Sequence, residues 1–417
     1  MAEIYESPTN GMDINLTIDL DLQLALESEL NNASTKYNME GAIGIVMNPK
    51  TGEILAMSSR PNFDPTNYQA YSIETINRNL PIWSSYEPGS TFKILTLSAA
   101  LNEGKVNLFE DTYYDTGGIK VGGSTLHCWK AGGHGFETFL EVVENSCNPG
   151  FVVLSNKLGK ETLFNYIDKF GFGKKTGIDL NGESKGIIFS LDKVGPLELA
   201  TTGFGQGVSV TAIQQVTAVS AIVNNGNMYT PFVVKSISDY ETGTILKETT
   251  PTLKSKNLIT KETSDMVKYA LESVVANGSG HNAYIEGYRI GGKTGTAQKV
   301  GSDGKYMVGN YILSFIGFMP ANDPEYVVYI AIDGAKGATQ YGGSTSAPIA
   351  KSIFNSIISL YDLKSTTNGM PREYFWYETK YVTVPDVRGL SLKEAKTLLT
   401  GFNLEYTGSG KTVVITN

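Results

Sequence analysis

The chain has 417 residues, of which 41% are hydrophobic and 18% are charged, as in folded proteins rather than disordered ones. Its formal net charge is −8 and lysine and arginine form no cluster, which argues against nucleic acid or an anionic membrane surface as a partner. With 45 glycines, 23 tyrosines and 2 cysteines, the composition favours a turn-rich enzyme over a disulfide scaffold.

Neither a membrane-spanning segment nor a signal peptide is predicted. The sequence has no run of about eighteen apolar residues, and Met1-Ala2-Glu3 leads directly into polar sequence. We therefore expect the chain by itself to be soluble, and it can still be a fragment of an anchored protein.

The first sixty residues predict a strand, a helix and a hairpin. Residues 13–19 alternate apolar and polar side chains like a strand, and residues 20–31 have the spacing of an amphipathic helix. Two apolar runs, 42–47 and 54–59, are joined by the turn-forming residues 48–52, which predicts a β-hairpin.

The stretch around Ser90 is the one on which the functional interpretation depends. Pro88 and Gly89 end the preceding segment, and residues 94–101 are mostly apolar, which suits a buried helix. Ser90 would begin this helix and Lys93 would lie one turn later on the same face. A buried lysine can lose its charge and act as the base that activates a serine. The alternative is a serine N-cap followed by a solvated lysine.

The middle of the chain predicts several helices. Residues 136–145 look helical and lead into Ser146-Cys147-Asn148. The glycine-rich loop 203–207 precedes an apolar helix at 211–223, and another helix is predicted at 258–277.

The last part of the main domain predicts three strands and a helix. Residues 288–297 read as a strand whose glycines indicate close approach by a ligand or another backbone. Strands at 311–319 and 326–332 and a helix at 348–360 follow. We expect an α+β fold in which the N-terminal hairpin joins these strands in a five-stranded, mainly antiparallel sheet flanked by helices.

Three short patterns stand in order along the chain: Ser90-x-x-Lys93, Ser146-x-Asn148 and Lys293-Thr294-Gly295. Each pattern alone is weak, but together they match a known combination of motifs of penicillin-binding proteins and class A β-lactamases. Each also falls where that combination needs it, at the beginning of a buried helix, in a loop after a helix and on a strand.

The resemblance to a class B penicillin-binding protein covers about residues 12–361. It is carried by five further stretches: Leu16-Thr17-Ile18-Asp19, Lys50 to Ala56, Pro88 to Lys93, Gly205-Gln206-Gly207 and Gly292 to Ala297. It implies the penicillin-binding transpeptidase fold, which includes an all-helical subdomain.

The resemblance also implies a division of the chain. Residues 1–11 are interpreted as a remnant of a membrane-proximal region, residues 12–361 as the transpeptidase domain and residues 362–380 as a linker. Residues 381–417, with Val-Pro-Asp-Val-Arg-Gly near their start, resemble part of a PASTA domain. A C-terminal PASTA unit is similar to sporulation-specific and some division-specific members of the family.

The family chemistry that the resemblance implies is acyl transfer from a D-Ala-D-Ala stem peptide of peptidoglycan. Ser90 would attack the carbonyl and Lys93 would take its proton, with Lys293 helping to keep Lys93 neutral by repulsion. Ser146 would pass a proton to the leaving D-Ala, and Asn148 would hold both Lys93 and the substrate amide.

Substrate binding is expected on the strand that carries the third motif. Thr294, Gly295 and Thr296 would bind the substrate, with the two threonines holding its carboxylate. The backbone N–H groups of Ser90 and Thr296 would form the oxyanion hole. The chemistry needs no cofactor, and β-lactams would acylate the same serine.

The resemblance further implies a cellular setting. A glycosyltransferase is the expected protein partner, and no nucleic acid is expected. The enzyme would act at the extracytoplasmic face of a bacterial membrane, cell or forespore, in septal or sporulation wall synthesis. Its membrane contact would be through an N-terminal anchor that this sequence does not include.

A possible structural zinc site is a separate prediction. Cys128, His134 and Cys147 are ligand types that zinc prefers in sites with four ligands. The fourth ligand could be His127, a carboxylate such as Asp115, or water. The spacing matches no standard zinc finger, so a Cys128–Cys147 disulfide and two unpaired cysteines remain as alternatives.

Two other functions remain as alternatives. A class A β-lactamase would need a deacylating glutamate in an E-x-x-L-N context, and no such pattern lies between the Ser146-x-Asn148 motif and Lys293. A non-catalytic β-lactam sensor or wall-binding scaffold would acylate Ser90 without transferring the acyl group, or would not react. The third histidine, His281, is expected in a loop near the rim of the cleft, with no chemical role.

Overall fold

The structure is a computed structural model that describes residues 10–301, 304–336, 338–372 and 387–399. The chain divides into two units, residues 1–373 and residues 374–417. Among the described helices, none combines the length and the apolar character that a membrane crossing requires.

Sixteen strands are described, and they are listed here in chain order: β1 (Met12–Leu16), β2 (Gly41–Met47), β3 (Ile54–Arg60), β4 (Ser85–Tyr86), β5 (Thr112–Asp115), β6 (Gly118–Val121), β7 (Ser124–His127), β8 (Gly135–Thr138), β9 (Val210–Thr211), β10 (Met228–Tyr229), β11 (Val234–Asp239), β12 (Ile245–Glu248), β13 (Leu253–Ser255), β14 (Gly291–Val300), β15 (Tyr306–Met319) and β16 (Tyr326–Asp333).

Twelve α-helices are described: α1 (Leu20–Tyr37), α2 (Ile73–Asn77), α3 (Leu80–Trp83), α4 (Lys93–Asn102), α5 (Phe139–Glu144), α6 (Asn148–Leu158), α7 (Lys160–Lys169), α8 (Pro196–Thr202), α9 (Ala212–Val223), α10 (Lys261–Asn277), α11 (Gly342–Leu360) and α12 (Leu392–Leu398). Short 3₁₀ turns lie at Pro65–Ala70, Gly89–Thr91, Leu191–Lys193 and His281–Ala283.

The central sheet has five strands in the order β14-β15-β16-β2-β3, and every neighbouring pair is antiparallel. This confirms the predicted sheet in which the N-terminal hairpin joins three C-terminal strands. Both faces of β2 are buried, because helices cover the sheet on each side. Alternate side chains of a strand point to opposite faces, so Ile43 and Ile45 enter one core and Ala42 and Val46 the other.

Helix α1 packs directly on this sheet. It is longer than the predicted residues 20–31, and Asp19 caps its start by accepting a hydrogen bond from the Leu22 N–H at 3.1 Å. Leu26 is buried in the core beneath it. A Cβ at Gly44 would lie 2.5 Å from Leu26 Cδ1, so the glycine allows the helix to approach the strand closely.

The other face of the sheet is covered by the helical layer that contains α4 and α9. All residues of α9 are buried, as its apolar sequence predicts. Thr211 caps it in a capping box with Gln214. The layer also carries two small β-ribbons, β5–β8 and β6–β7, so the predicted all-helical subdomain is not purely helical.

The helices predicted at 136–145 and at 348–360 also have limits that differ from the prediction. The helix predicted at 136–145 is wrong in its first turn, because residues 135–138 pair with β5 as strand β8. Thr138 then caps α5 in a capping box with Glu141. Helix α11 begins at Gly342 rather than at the predicted Pro348, which lies inside the helix.

The C-terminal predictions are only partly described. Thr366 N–H donates to Gly287 O at 2.7 Å and Met370 N–H to Glu272 at 3.3 Å, so the start of the predicted linker lies against the first unit. In the second unit, α12 is described, and Val387 and Ala395 pack in a small apolar cluster. Residues 1–9, 373–386 and 400–417 lie outside the described residues, and the PASTA unit stays a prediction.

We predict that Leu26→Ala lowers the free energy of unfolding by about 3 kcal/mol, because it leaves a cavity between α1 and the sheet. Urea denaturation would measure it. Leu24→Ala is the matched control, since Leu24 lies on the same helix and is 55% exposed, and it should change stability by less than about 0.5 kcal/mol. Equal losses in the two variants would contradict this packing.

Candidate active site

Ser90 lies in the 3₁₀ turn Gly89–Thr91, which leads into α4. The prediction that Ser90 begins a buried helix is therefore correct in outline, with a tighter first turn. Thr91 Oγ1 donates to Pro88 O at 2.9 Å and fixes this turn. The Ser90 side chain is partly exposed, whereas Lys93 at the start of α4 is 1% exposed. The alternative of a solvated lysine is therefore wrong.

The Gly205-Gln206-Gly207 loop packs against the turn that contains Ser90 and is hydrogen-bonded to it. Gly89 N–H donates to Gly205 O at 3.0 Å. Gly205 has φ +85°, and a Cβ there would overlap the Gly89 carbonyl oxygen, so this contact requires glycine. Gly207 N–H donates to the buried Glu87 carboxylate at 2.8 Å. The loop thus fixes the backbone on both sides of Pro88.

The Lys93 amine lies among three acceptors. It donates to Ser146 O at 2.8 Å, to Asn148 Oδ1 at 2.7 Å and to Ser146 Oγ at 3.1 Å. Burial lowers the pKa of Lys93 from 10.5 to about 7, although electrostatic interactions with Cys147, Cys128 and Glu137 act to raise it. A substantial fraction of the amine is therefore neutral near neutral pH.

The same three contacts suit the neutral amine. A neutral amine has two N–H groups and one lone pair, and the two shorter contacts, to Ser146 O and Asn148 Oδ1, accept the two N–H groups. The lone pair can then accept a proton from a hydroxyl. Lys93 can therefore exchange a proton with the Ser146 hydroxyl.

Ser146 owes its position to an unusual backbone conformation. Its φ is +54°, in the left-handed region that a serine rarely adopts. The Ser146 N–H donates to Val143 O at 3.2 Å and the Cys147 N–H to Val142 O at 3.0 Å, at the end of α5. Asn148 follows as the first residue of α6. The tight turn between these helices directs both Ser146 oxygens to Lys93.

The third motif lies on β14, as predicted. Lys293 is 1% exposed, and burial together with the charge of Lys93 lowers its pKa well below the usual value. We expected burial to keep Lys93 neutral, with help from repulsion by Lys293. Burial is the cause found at Lys93, whereas the charge of Lys93 lowers the pKa of Lys293. The Lys293 Nζ lies 3.5 Å from Thr294 O.

Gly295 is the point where β14 meets the turn of Ser90. A Cβ at Gly295 would overlap Ser314 Oγ and lie 3.0 Å from Thr91 Cγ2. Only a glycine therefore allows the strand to come this close to the turn. On either side of it, Thr294 Oγ1 donates to Ser279 Oγ at 3.2 Å, and Thr296 Oγ1 accepts from Gly342 N–H at 3.3 Å.

A cluster of four possible metal ligands lies next to this site. The ligand atoms all lie within 4.8 Å of one another and belong to Asp115, Cys128, His134 and Cys147. Measured distances are 3.0 Å from His134 Nδ1 to Asp115 Oδ2, 3.4 Å from Cys128 Sγ to His134 Nδ1, and 3.4 Å from Cys147 Sγ to Asp115 Oδ2.

The cluster has the size and the chemistry of a zinc site. Zinc bonds of about 2.0–2.3 Å in a tetrahedron put neighbouring ligand atoms about 3.3–3.8 Å apart. The three distances given above, 3.0 Å, 3.4 Å and 3.4 Å, lie in or near this range. Two thiols, one imidazole and one carboxylate are ligands that zinc accepts. Of the fourth ligands considered from sequence, Asp115 lies in the cluster, whereas His127 is exposed on β7 and is not part of it.

Hydrogen bonds within the cluster lower the pKa values of Cys128 and Asp115. A hydrogen bond from the Cys147 thiol lowers the pKa of Cys128 to about 5, while the same bond raises that of Cys147. Burial raises the pKa of Asp115, but bonds from Cys128, Gly117 N–H and His134 outweigh it and bring the pKa to about 2. Both cysteines are free thiols in the structure.

Three residues near the site were not foreseen from the sequence. Glu137 Oε2 lies 3.9 Å from His134 Nδ1, and the Trp129 ring packs edge-on against that imidazole. Ser279 contacts Thr294. Their relevance depends on tertiary contacts, so no spacing in the sequence could identify them. His281 lies in a 3₁₀ turn two residues after Ser279, and its predicted lack of a chemical role stays a prediction.

The motifs and the sheet can be compared with known proteins. A family model described as "Penicillin binding protein transpeptidase domain" matches residues 42–355. The chain belongs to the penicillin-binding protein transpeptidase family. The predicted resemblance to a class B penicillin-binding protein is thereby confirmed, and the PASTA unit is outside what these comparisons support.

Two curated relatives illustrate the similarity. Stage V sporulation protein D of Bacillus subtilis is 55% identical over 413 residues, which are 99% of this chain and 64% of that protein. Peptidoglycan D,D-transpeptidase FtsI of Escherichia coli K12 is 29% identical, over 87% of this chain and 59% of that protein. The chain therefore spans less than two thirds of the length of either relative.

A solved structure gives the same result. Penicillin binding protein 3 of Mycobacterium tuberculosis, complexed with ampicillin, superposes with a TM-score of 0.82 at 28% identity. The match covers 89% of this chain and 83% of that one. The transpeptidase fold predicted from the motifs is therefore confirmed.

The pKa of Lys93 predicts how acylation by a penicillin depends on pH. If Lys93 accepts the serine proton, the rate follows its neutral fraction, which rises about tenfold between about pH 6 and about pH 8 for a pKa of about 7. Stopped-flow acylation across this range would measure it. Circular dichroism at each pH controls for unfolding, and a flat rate profile with the fold intact would contradict this role.

Proposed function

We propose that this protein is a serine D,D-transpeptidase that cross-links peptidoglycan stem peptides. The observation that carries the proposal is the set of three hydrogen bonds from the buried Lys93 amine to Ser146 and Asn148. These bonds hold Lys93, whose pKa is lowered, against the Ser146 hydroxyl and the Asn148 amide. Ser90 is partly exposed and lies one turn before Lys93.

The first half-reaction is acylation of Ser90. Its Oγ attacks the carbonyl carbon of the penultimate D-Ala while Lys93 Nζ takes the hydroxyl proton. The backbone N–H groups of Ser90 and Thr296 stabilise the resulting oxyanion. When the peptide C–N bond breaks, the departing D-Ala nitrogen receives a proton through the Ser146 hydroxyl, which Lys93 recharges.

Binding orients the substrate for this attack. The terminal carboxylate of the D-Ala-D-Ala unit accepts hydrogen bonds from the Thr294 and Thr296 hydroxyls. Lys293, directly before them, adds a favourable electrostatic field for the anion when it is protonated. Asn148 Nδ2 is available to the substrate amide, since its present contact, with His127 O, is long at 3.4 Å.

The second half-reaction returns the enzyme to its starting state. The amine of a second stem peptide attacks the ester carbonyl, its proton passes to the Lys93 and Ser146 pair, and Ser90 Oγ leaves with a proton. A new peptide bond then joins the two stems. A β-lactam follows the first half-reaction, but its opened ring stays attached and blocks the second.

Labelling with a fluorescent penicillin tests the nucleophile. We expect the wild-type chain to form an adduct that persists for hours, and Ser90→Ala to form none. Ser85→Ala is the matched control, because this exposed serine lies five residues earlier on β4, and it should label like the wild type. An unchanged adduct in Ser90→Ala would contradict the proposal.

Release of D-Ala and persistence of the penicillin adduct, measured on the same protein, distinguish the alternative functions. A transpeptidase releases D-Ala from a thioester or stem-peptide substrate at a rate that Ser90→Ala abolishes. A stable penicillin adduct without any release of D-Ala would indicate a sensor or scaffold. Rapid loss of the adduct would indicate a β-lactamase.

We further propose that a structural zinc ion is held by four side chains: Asp115, Cys128, His134 and Cys147. Their distances and ligand types support it. Cys147 lies between Ser146 and Asn148 in sequence, so a bound ion would fix the loop that presents both residues to Lys93. The ion would provide a cross-link between loops and no reacting group.

Metal analysis of protein purified without chelator tests this site. We expect about one zinc per chain in the wild type and much less in Cys128→Ser, with a melting temperature lower by about 5–10 °C. His127→Ala is the matched control, because the adjacent histidine is outside the cluster, and it should keep the metal. A thiol count of zero in denatured, unreduced protein would instead establish the disulfide.

The cellular setting follows from the substrate. Peptidoglycan lies outside the cytoplasmic membrane, so we propose that the domain acts at its outer face, in concert with a glycosyltransferase and as part of an anchored protein. Similarity to a protein named for stage V of sporulation supports a role in spore wall synthesis rather than division. Loss of heat-resistant spores with unimpaired growth, in cells carrying Ser90→Ala, would test it.

A further inference from the structure

The loop after helix α10 joins the two sides of the proposed catalytic site. Ser279 N–H donates to Glu144 O at 2.9 Å, at the end of the helix that precedes Ser146. A Cβ at Gly278 would lie 2.5 Å from the same carbonyl oxygen, so the glycine permits this close contact. The backbone at Ser279 is therefore fixed to the segment that carries the second motif.

The side chain of Ser279 points to the third motif. Thr294 Oγ1 donates to Ser279 Oγ at 3.2 Å, and both residues are partly or largely shielded from water. Thr294 is 8% exposed. This hydroxyl pair is thus held between the strand β14 and the loop, next to where the proposed function places the substrate carboxylate.

The two hydroxyls can reverse the direction of their hydrogen bond. A hydroxyl carries one donor and two acceptor positions, and it rotates to suit its partners. When a carboxylate accepts the Thr294 proton, the Thr294 oxygen is free to accept from the Ser279 hydroxyl. Consecutive hydrogen bonds of this kind polarise each other, which strengthens the bond to the anion.

We propose that Ser279 is a positioning residue that orients the Thr294 hydroxyl towards the carboxylate of the substrate or of a β-lactam. The inference rests on the proposed function, because it concerns the recognition of the same substrate. Ser279 does not touch the reacting atoms. It acts through Thr294, and its effect therefore depends on whether the ligand carries a negative charge at that position.

A comparison of a charged and a neutral ligand tests this role. The second-order rate constant for acylation is measured with benzylpenicillin and with its methyl ester. In Ser279→Ala we expect a fall of about tenfold for the acid and of no more than about twofold for the ester. In Ser279→Thr, which keeps the hydroxyl, the rate with the acid should stay within about twofold of the wild type.

Two further variants separate positioning from a structural effect. Ser273→Ala is the matched control, because Ser273 donates to the side chain of Glu144 without touching Thr294, so any loss should be equal for acid and ester. In a Thr294→Val background, Ser279→Ala should cause no additional loss with the acid, since the hydroxyl that it orients is already gone.

The results of these experiments separate failure of the Ser279 inference from failure of the proposed function. Equal losses for acid and ester in Ser279→Ala, or an additive loss in the Thr294→Val background, would overturn the inference and leave the proposed function intact. A wild-type chain that neither ligand acylates would overturn both. If Ser279→Ala does not fold by circular dichroism, Ser279→Cys replaces it with the same expectation, because a thiol has similar size and is a weak donor.

Discussion

The buried Lys93 amine is the interaction on which the rest of the site depends. An ammonium group without water is costly, so the fold must either pair it or let it lose its proton. Here both happen: three oxygens from Ser146 and Asn148 surround the amine, and burial lowers its pKa to about 7. One arrangement thus fixes the second motif and leaves an amine that can lose its proton near neutral pH.

Close backbone approach is the second constraint. The turn of Ser90 lies between the Gly205 loop and strand β14, and a side-chain carbon at Gly205 or Gly295 would overlap its neighbours. The central sheet places β14 at its edge, so this strand pairs with β15 on one side and with no other strand of that sheet. Glycine therefore allows three segments that are distant in sequence to meet at the turn of Ser90.

The cysteine and histidine cluster lies next to the same site. It joins the two small ribbons to the turn at Ser146, where the backbone is in a left-handed conformation. Such a conformation persists when the surroundings determine it. The proposed zinc ion and the bond from Ser279 to Glu144 would both restrain this turn, one through side chains and one through the backbone. Metal content and carboxylate recognition can therefore be tested separately at neighbouring positions.

The sequence by itself determined the motifs, the five-stranded sheet and the candidate ligands, because these depend on local spacing and on hydrophobic periodicity. Ser90 and Lys93 are one helical turn apart wherever that helix lies, and Cys128, His134 and Cys147 have ligand chemistry in any fold. Tertiary structure decided the rest. It selected Asp115 over His127 beside the cysteines, and it brought Ser279 to Thr294. Each of these depends on distances between segments far apart in the chain, which no local pattern encodes.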